Sequence, residues 1–181
     1  MCYFITAIVP TESNIETLRH VIKKHGFEFT PLTNNFISSQ LPPQSQYYRA
    51  TGSYCDCDDS FGYSFHYNRT PNPIDITKHM TRLRKKGWNE AKIQRSIQEK
   101  TLAREKPRPG IPESSDKWIK FLHEILSGKQ THKIGLITHF YHGDIETDDF
   151  RVKSTQNLVL TDLRQETILG LEDDVLYTFT A

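Results

Sequence analysis

The opening strand places the tightest constraint on the fold. Cys2, Phe4, Thr6 and Ile8 fall on one face of an extended segment, and Tyr3, Ile5, Ala7 and Val9 on the other. Residues two apart share a face. Both faces here are largely apolar, so this strand belongs inside a sheet covered on both sides. Pro10 closes it, and Thr11 or Ser13 is expected to cap a helix whose apolar stripe is Ile15, Leu18, Val21 and Ile22. Gly26 stops that helix just after Lys23, Lys24 and His25, cations placed where the helix dipole favours them. Phe27 to Thr30 reads as a second strand. The chain therefore opens as a β–α–β unit, right-handed if its two strands are parallel.

The rest alternates by segment. After a polar loop over 31–46, Tyr47 to Tyr54 reads as a third strand, and residues 60–73 are aromatic and turn-rich, ending in Pro71-Asn72-Pro73. Ile76, Met80 and Leu83 predict a helix broken at Gly87. Asn89 caps a second helix carrying Ile93 and Ile97 to about Arg104. Pro107, Pro109 and Pro112 forbid helix and mark a connector. Ser114 or Ser115 opens a third helix with Trp118, Phe121, Leu122 and Ile125 inward and Gly128 as its stop. A strongly apolar strand over 133–141 follows. A short strand near 150–153, a short helix near 162–169 and a last strand over 175–179 complete the pattern. The expectation is an α+β (or α/β) fold: a mixed sheet of about five strands covered by three main helices. It is one domain over 1–181, strand-rich over 1–67, helical over 74–128 with a proline-rich connector at 107–112, and strand-rich again over 133–181.

Of 181 residues, 36% are hydrophobic and 25% charged, with a net charge of +1, so there is no global pull toward nucleic acid or an anionic membrane. No apolar run approaches the roughly 20 residues a membrane span needs. The apolar N-terminal stretch is too short for a signal peptide and no basic residues precede it, which predicts a cytoplasmic protein. An odd count of three cysteines, two of them separated by one residue, fits reduced thiols rather than a disulfide framework.

Charge is unevenly divided. Residues 78–108 hold eleven Lys or Arg against three Glu, and residues 143–181 hold nine acids against three bases. Either region suits a protein partner, as in a non-enzymatic adaptor or immunity protein. Nucleic acid is the poorer fit. Arg84, Lys85 and Lys86 occupy the turn where a helix-turn-helix pair would pack apolar side chains.

Cys55-Asp56-Cys57 carries the most specific chemistry. In an extended segment residues i and i+2 point the same way, with α-carbons roughly 6.5 Å apart, so two thiolates can converge on one soft ion. Cys2, at the start of the first strand, offers a third thiolate. His139 is the preferred fourth ligand over His142, because it sits deeper in its strand. Three sulfurs and an imidazole form a familiar zinc set, and the same residues also suit cysteine chemistry, as a thiol redox group or a Cys–His catalytic pair. Asp56, Asp58 and Asp59 predict a solvent-exposed turn whose carboxylates accept from the ligating imidazole. They do not form a calcium loop, since the required glycine position holds Phe61 and the closing glutamate position Tyr67.

Met1-Cys2 also resembles the start of the glutamine amidotransferases of the N-terminal-nucleophile class. There, loss of the methionine leaves a cysteine whose own α-amine serves as base. The resemblance implies Cys2 as nucleophile of an N-terminal-cysteine hydrolase. It extends over two residues: Tyr3 stands where that class has glycine, and its Asn-Gly-Asp segment is missing, His142-Gly143-Asp144 being no substitute. No glycine-rich phosphate loop, G-x-S-x-G elbow or H-E-x-x-H helix is present.

Overall fold

The computed structural model describes residues 2–61, 73–104 and 111–181. The stretch over 62–72 and the connector prolines 107 and 109 lie outside them. The described residues form an α+β fold around a six-stranded mixed sheet. Its strands are β1 (Cys2–Pro10), β2 (Thr30–Pro31), β3 (Ser45–Arg49), β4 (Lys133–Tyr141), β5 (Ser154–Val159) and β6 (Val175–Thr180), in the order β2-β3-β1-β4-β6-β5. Every neighbouring pair is antiparallel except β5 with β6. The helices are α1 (Ile15–Lys24), α2 (Asn35–Ser38), α3 (Pro73–Lys85), α4 (Glu90–Arg104), α5 (Ile111–Ser127) and α6 (Gln165–Leu169).

β1 lies between β3 and β4, as its two apolar faces predict. Ile5, Ala7 and Val9 face the larger core with Leu18, Val21 and Ile22 of α1 and Trp118, Phe121, Leu122 and Ile125 of α5. Ile8 faces a smaller core with Ile37, Tyr47, Ile137 and Leu176. Within that layer Gly135 of β4 is squeezed: an added Cβ would lie 2.8 Å from a Leu176 methyl carbon and 3.1 Å from Ile8 Cβ.

The β–α–β opening exists in altered form. β2 runs in the direction of β1, because each is antiparallel to β3, but β3 is inserted between them. β2 is also two residues long rather than four. Phe27 leaves the ladder to pack on Trp118, ring centroids 4.0 Å apart, and Pro31 has no N–H to extend it. The cap of α1 is Asn14, whose Oδ1 accepts from the Glu16 N–H at 3.0 Å, while Ser13 turns inward to Thr131. At the other end Gly26 takes φ +66°, and the Phe27 N–H closes on the Ile22 carbonyl at 2.9 Å. α5 starts three residues ahead of the expected cap, because Pro112 is tolerated in a first turn whose N–H groups have no helical acceptor. The short strand expected near 150–153 is β5, at 154–159.

Two hydrogen bonds tie the chain that follows β3 to this core. Trp118 Nε1–H donates to Asp59 Oδ1 at 2.9 Å, and Ser114 Oγ–H donates to Asp59 Oδ2 at 2.8 Å. Trp118→Phe keeps most of the ring volume and deletes the donor to a charged acceptor. It is expected to cost about 1.5–3 kcal/mol in denaturant unfolding followed by circular dichroism.

Candidate functional site

β3 pairs with β1 only as far as Arg49 opposite Thr6. Beyond that point the chain still follows β1, through side chains as well as backbone. The Ala50 N–H donates to the Ile5 carbonyl at 2.9 Å. The chain then bulges outward over Gly52, Ser53 and Tyr54, all exposed, and returns at Asp56, whose N–H donates to the Tyr3 carbonyl at 2.9 Å. The Asp56 carboxylate stands where a neighbouring strand would present a carbonyl. Its Oδ2 accepts the Ile5 N–H at 2.9 Å, and Thr51 Oγ–H lies 2.7 and 2.8 Å from its two oxygens. Cys57 Sγ then accepts the Tyr3 N–H at 3.5 Å.

This lays the Cys55-Asp56-Cys57 segment along the first turn of β1, beside Cys2. The three sulfurs all lie within 4.8 Å of one another. Each cysteine is free and partly exposed. Tetrahedral coordination at zinc–sulfur bonds near 2.3 Å requires sulfurs roughly 3.5–4 Å apart, a separation that the 4.8 Å bound on this group includes.

The thiols differ in acidity. Burial works against ionisation of Cys55, but hydrogen bonds from the Cys57 thiol, the Cys57 N–H (3.3 Å) and the Cys2 thiol outweigh it and bring Cys55 below the ordinary thiol range. Burial, and the proton it gives to Cys55, push Cys57 up to about 11. Cys2 is also raised, first by the hydrogen bond it gives to Cys55. Of the three thiols, Cys55 therefore gives up its proton most readily, with Cys2 and Cys57 as donors to its sulfur.

His139 is not brought into this group. It faces Phe4 in the β1–β4 register, two pairs beyond Cys2 opposite Tyr141. Its Nδ1 lies 2.5 Å from Asp174 Oδ1, and its ring stacks on Phe150 at 3.8 Å. His142 is exposed at the end of β4, and its backbone N–H donates to Asp148 at 2.6 Å. Among the described residues the cluster is therefore all sulfur.

The aspartates also differ from expectation. Only Asp58 is exposed. Asp56 is 3% exposed, and its accepting positions serve Ile5 and Thr51 rather than an imidazole. Asp59 is half-buried against Trp118. Sequence reasoning missed Thr51 as the hydroxyl that accompanies a buried carboxylate. No local signal marks it, because the pairing depends on how the chain returns to β1.

No family model matches the chain, and no curated protein or solved structure matches it either. The fold and cluster define the class: an α+β domain carrying a three-cysteine group close enough to hold a metal ion.

Asp56→Ala leaves the Ile5 N–H and the Thr51 hydroxyl without their acceptor and should cost about 1–3 kcal/mol. Asp56→Asn keeps an acceptor at Oδ and should cost less. Burial raises the Asp56 pKa above its unfolded value. The stability it contributes is therefore fully present at low pH and falls as pH rises through the folded pKa. Stability of the native protein relative to Asp56→Asn, measured by urea unfolding between pH 3 and 8, should accordingly decline with rising pH. A rise across that window would contradict the assignment.

Proposed function

We propose that this chain is a metal-binding protein whose Cys2, Cys55 and Cys57 thiolates together hold one thiophilic ion, zinc being the first choice. The observation that carries the reading is the convergence of three sulfurs from two separate stretches of chain, within 4.8 Å of one another. Three thiolates match the soft end of the ligand scale and disfavour magnesium or calcium. With three protein sulfurs, a water or an exchangeable ligand completes the tetrahedron, the arrangement that leaves zinc an open position.

Purified protein should carry one zinc per chain by elemental analysis, and Cys57→Ser should lose most of that affinity. Thiolate ligands must shed their protons. Since Cys55 ionises most readily, the ion displaces protons chiefly from Cys2 and Cys57. Affinity should therefore fall on acidification, by about 10-fold per pH unit for each thiol proton the ion displaces, read by competition with a chromophoric chelator. Binding that is independent of pH, or unchanged in Cys57→Ser, refutes the shared site.

A second reading, an interaction protein, is favoured by the surface of α3 and α4. Leu83 and Ile93 are buried there, while Lys85, Lys86 and Arg95 are exposed. Arg84 is held by Glu90 at 2.6 Å, so it is not a free cation. On this reading an acidic polypeptide binds with an affinity that drops steeply with salt, since the attraction is screened over about 8 Å at physiological ionic strength. Reversing Lys85, Lys86 and Arg95 to Glu should abolish that binding and leave the melting temperature nearly unchanged. Salt-insensitive binding of polyglutamate, or none at low salt, disposes of this reading.

A further inference from the structure

We infer that the same cluster is a peroxide-sensitive modification site, in which oxidation joins Cys2 to Cys55 and expels the bound ion. This rests on the metal-binding reading for its consequence, but the bond itself is predicted from the metal-free geometry. The sulfurs are within 4.8 Å, and a disulfide at about 2.05 Å is reached by side-chain rotation. All three are partly exposed, so a small oxidant reaches them.

Which pair closes is decided by the backbone. A Cys55–Cys57 bridge would close a very small ring around Asp56. Asp56 is fixed by its N–H on the Tyr3 carbonyl (2.9 Å) and its carboxylate on the Ile5 N–H (2.9 Å), so the backbone between the two cysteines cannot fold to make that ring. Cys57 Sγ in turn accepts the Tyr3 N–H. Cys2 comes from a separate stretch of chain, at the start of β1, and has no such ring to close, with its sulfur within 4.8 Å of that of Cys55.

The chemistry balances with hydrogen peroxide as oxidant. The Cys55 thiolate attacks one peroxide oxygen, the O–O bond breaks, and the departing hydroxide takes a proton to leave as water. The resulting sulfenic acid is attacked at sulfur by Cys2. The S–S bond forms, and the sulfenic hydroxyl leaves as a second water after taking a proton. Two electrons pass from the two thiolates to the peroxide. Cys57 alone then remains as a ligand, too few to retain the ion, which leaves for solvent while Cys57 takes up a proton.

The test treats zinc-loaded protein with one equivalent of hydrogen peroxide. Released zinc is read with a chromophoric chelator, and the disulfide is mapped by peptide mass spectrometry after alkylation without reductant. The expected result is zinc release in step with a Cys2–Cys55 bridge, and recovery of binding after dithiothreitol. The same mapping on metal-free protein should give the same bridge, so a protein that never binds zinc refutes the metal reading while leaving this one measurable. In Cys2→Ser, a second equivalent of peroxide should carry Cys55 from sulfenic to sulfinic acid instead of a disulfide. A Cys55–Cys57 bridge in the native protein, or sulfinic acid there without any bridge, overturns the inference.

Discussion

A buried carboxylate acting as a strand is the interaction on which the rest of the site depends. β1 needs partners on both edges along its whole length, since an unpaired buried N–H costs about as much as a lost hydrogen bond. β4 supplies one edge from Cys2 to Ile8, but β3 runs out at Arg49. Asp56 fills the gap with its side chain and its own N–H. Taking a carboxylate out of water is costly. The donors from Ile5 and Thr51 offset that cost only if the segment sits in one register, and that register places Cys55 and Cys57 beside Cys2.

The same clamp shapes the chemistry. With both carboxylate oxygens engaged, Asp56 contributes little to the fourth coordination position, and the sulfurs set the electrostatics of the cluster themselves. The Cys55 sulfur accepts from two thiols and a backbone N–H, and a dication would replace the thiol protons in that arrangement. Asp59 anchors the downstream end to Trp118. The segment is therefore clamped by the buried Asp56 carboxylate at its centre and the half-buried Asp59 carboxylate downstream, which dock this irregular stretch of chain on β1 and α5.

Much of this was legible in the sequence because it follows from periodicity. The two-faced alternation of Cys2–Val9 implied a central strand, the stripe of α5 implied its inward face, and β4 and β6 were readable as apolar runs. Cys2 beside Cys55 and Cys57 was anticipated because a strand start and a C-x-C pair are both local patterns. What the sequence hid is tertiary. The short β2 reflects the competition between sheet pairing and the packing of Phe27 on Trp118. Three consecutive-looking aspartates suggest a solvated turn, yet two of them are clamps, since burial of a carboxylate is decided by donors more than fifty residues away in Ile5 and Trp118. His139 had the right chemistry for a ligand, but Asp174, which comes from the turn before β6, takes its Nδ1.

X-ray absorption at the zinc edge, on protein loaded with one equivalent of zinc, reads whether three sulfurs share one ion. The expected spectrum has a shell of three sulfurs at about 2.3 Å and one lighter atom near 2.0–2.1 Å. A shell of nitrogen and oxygen alone, or one containing a single sulfur, would contradict it.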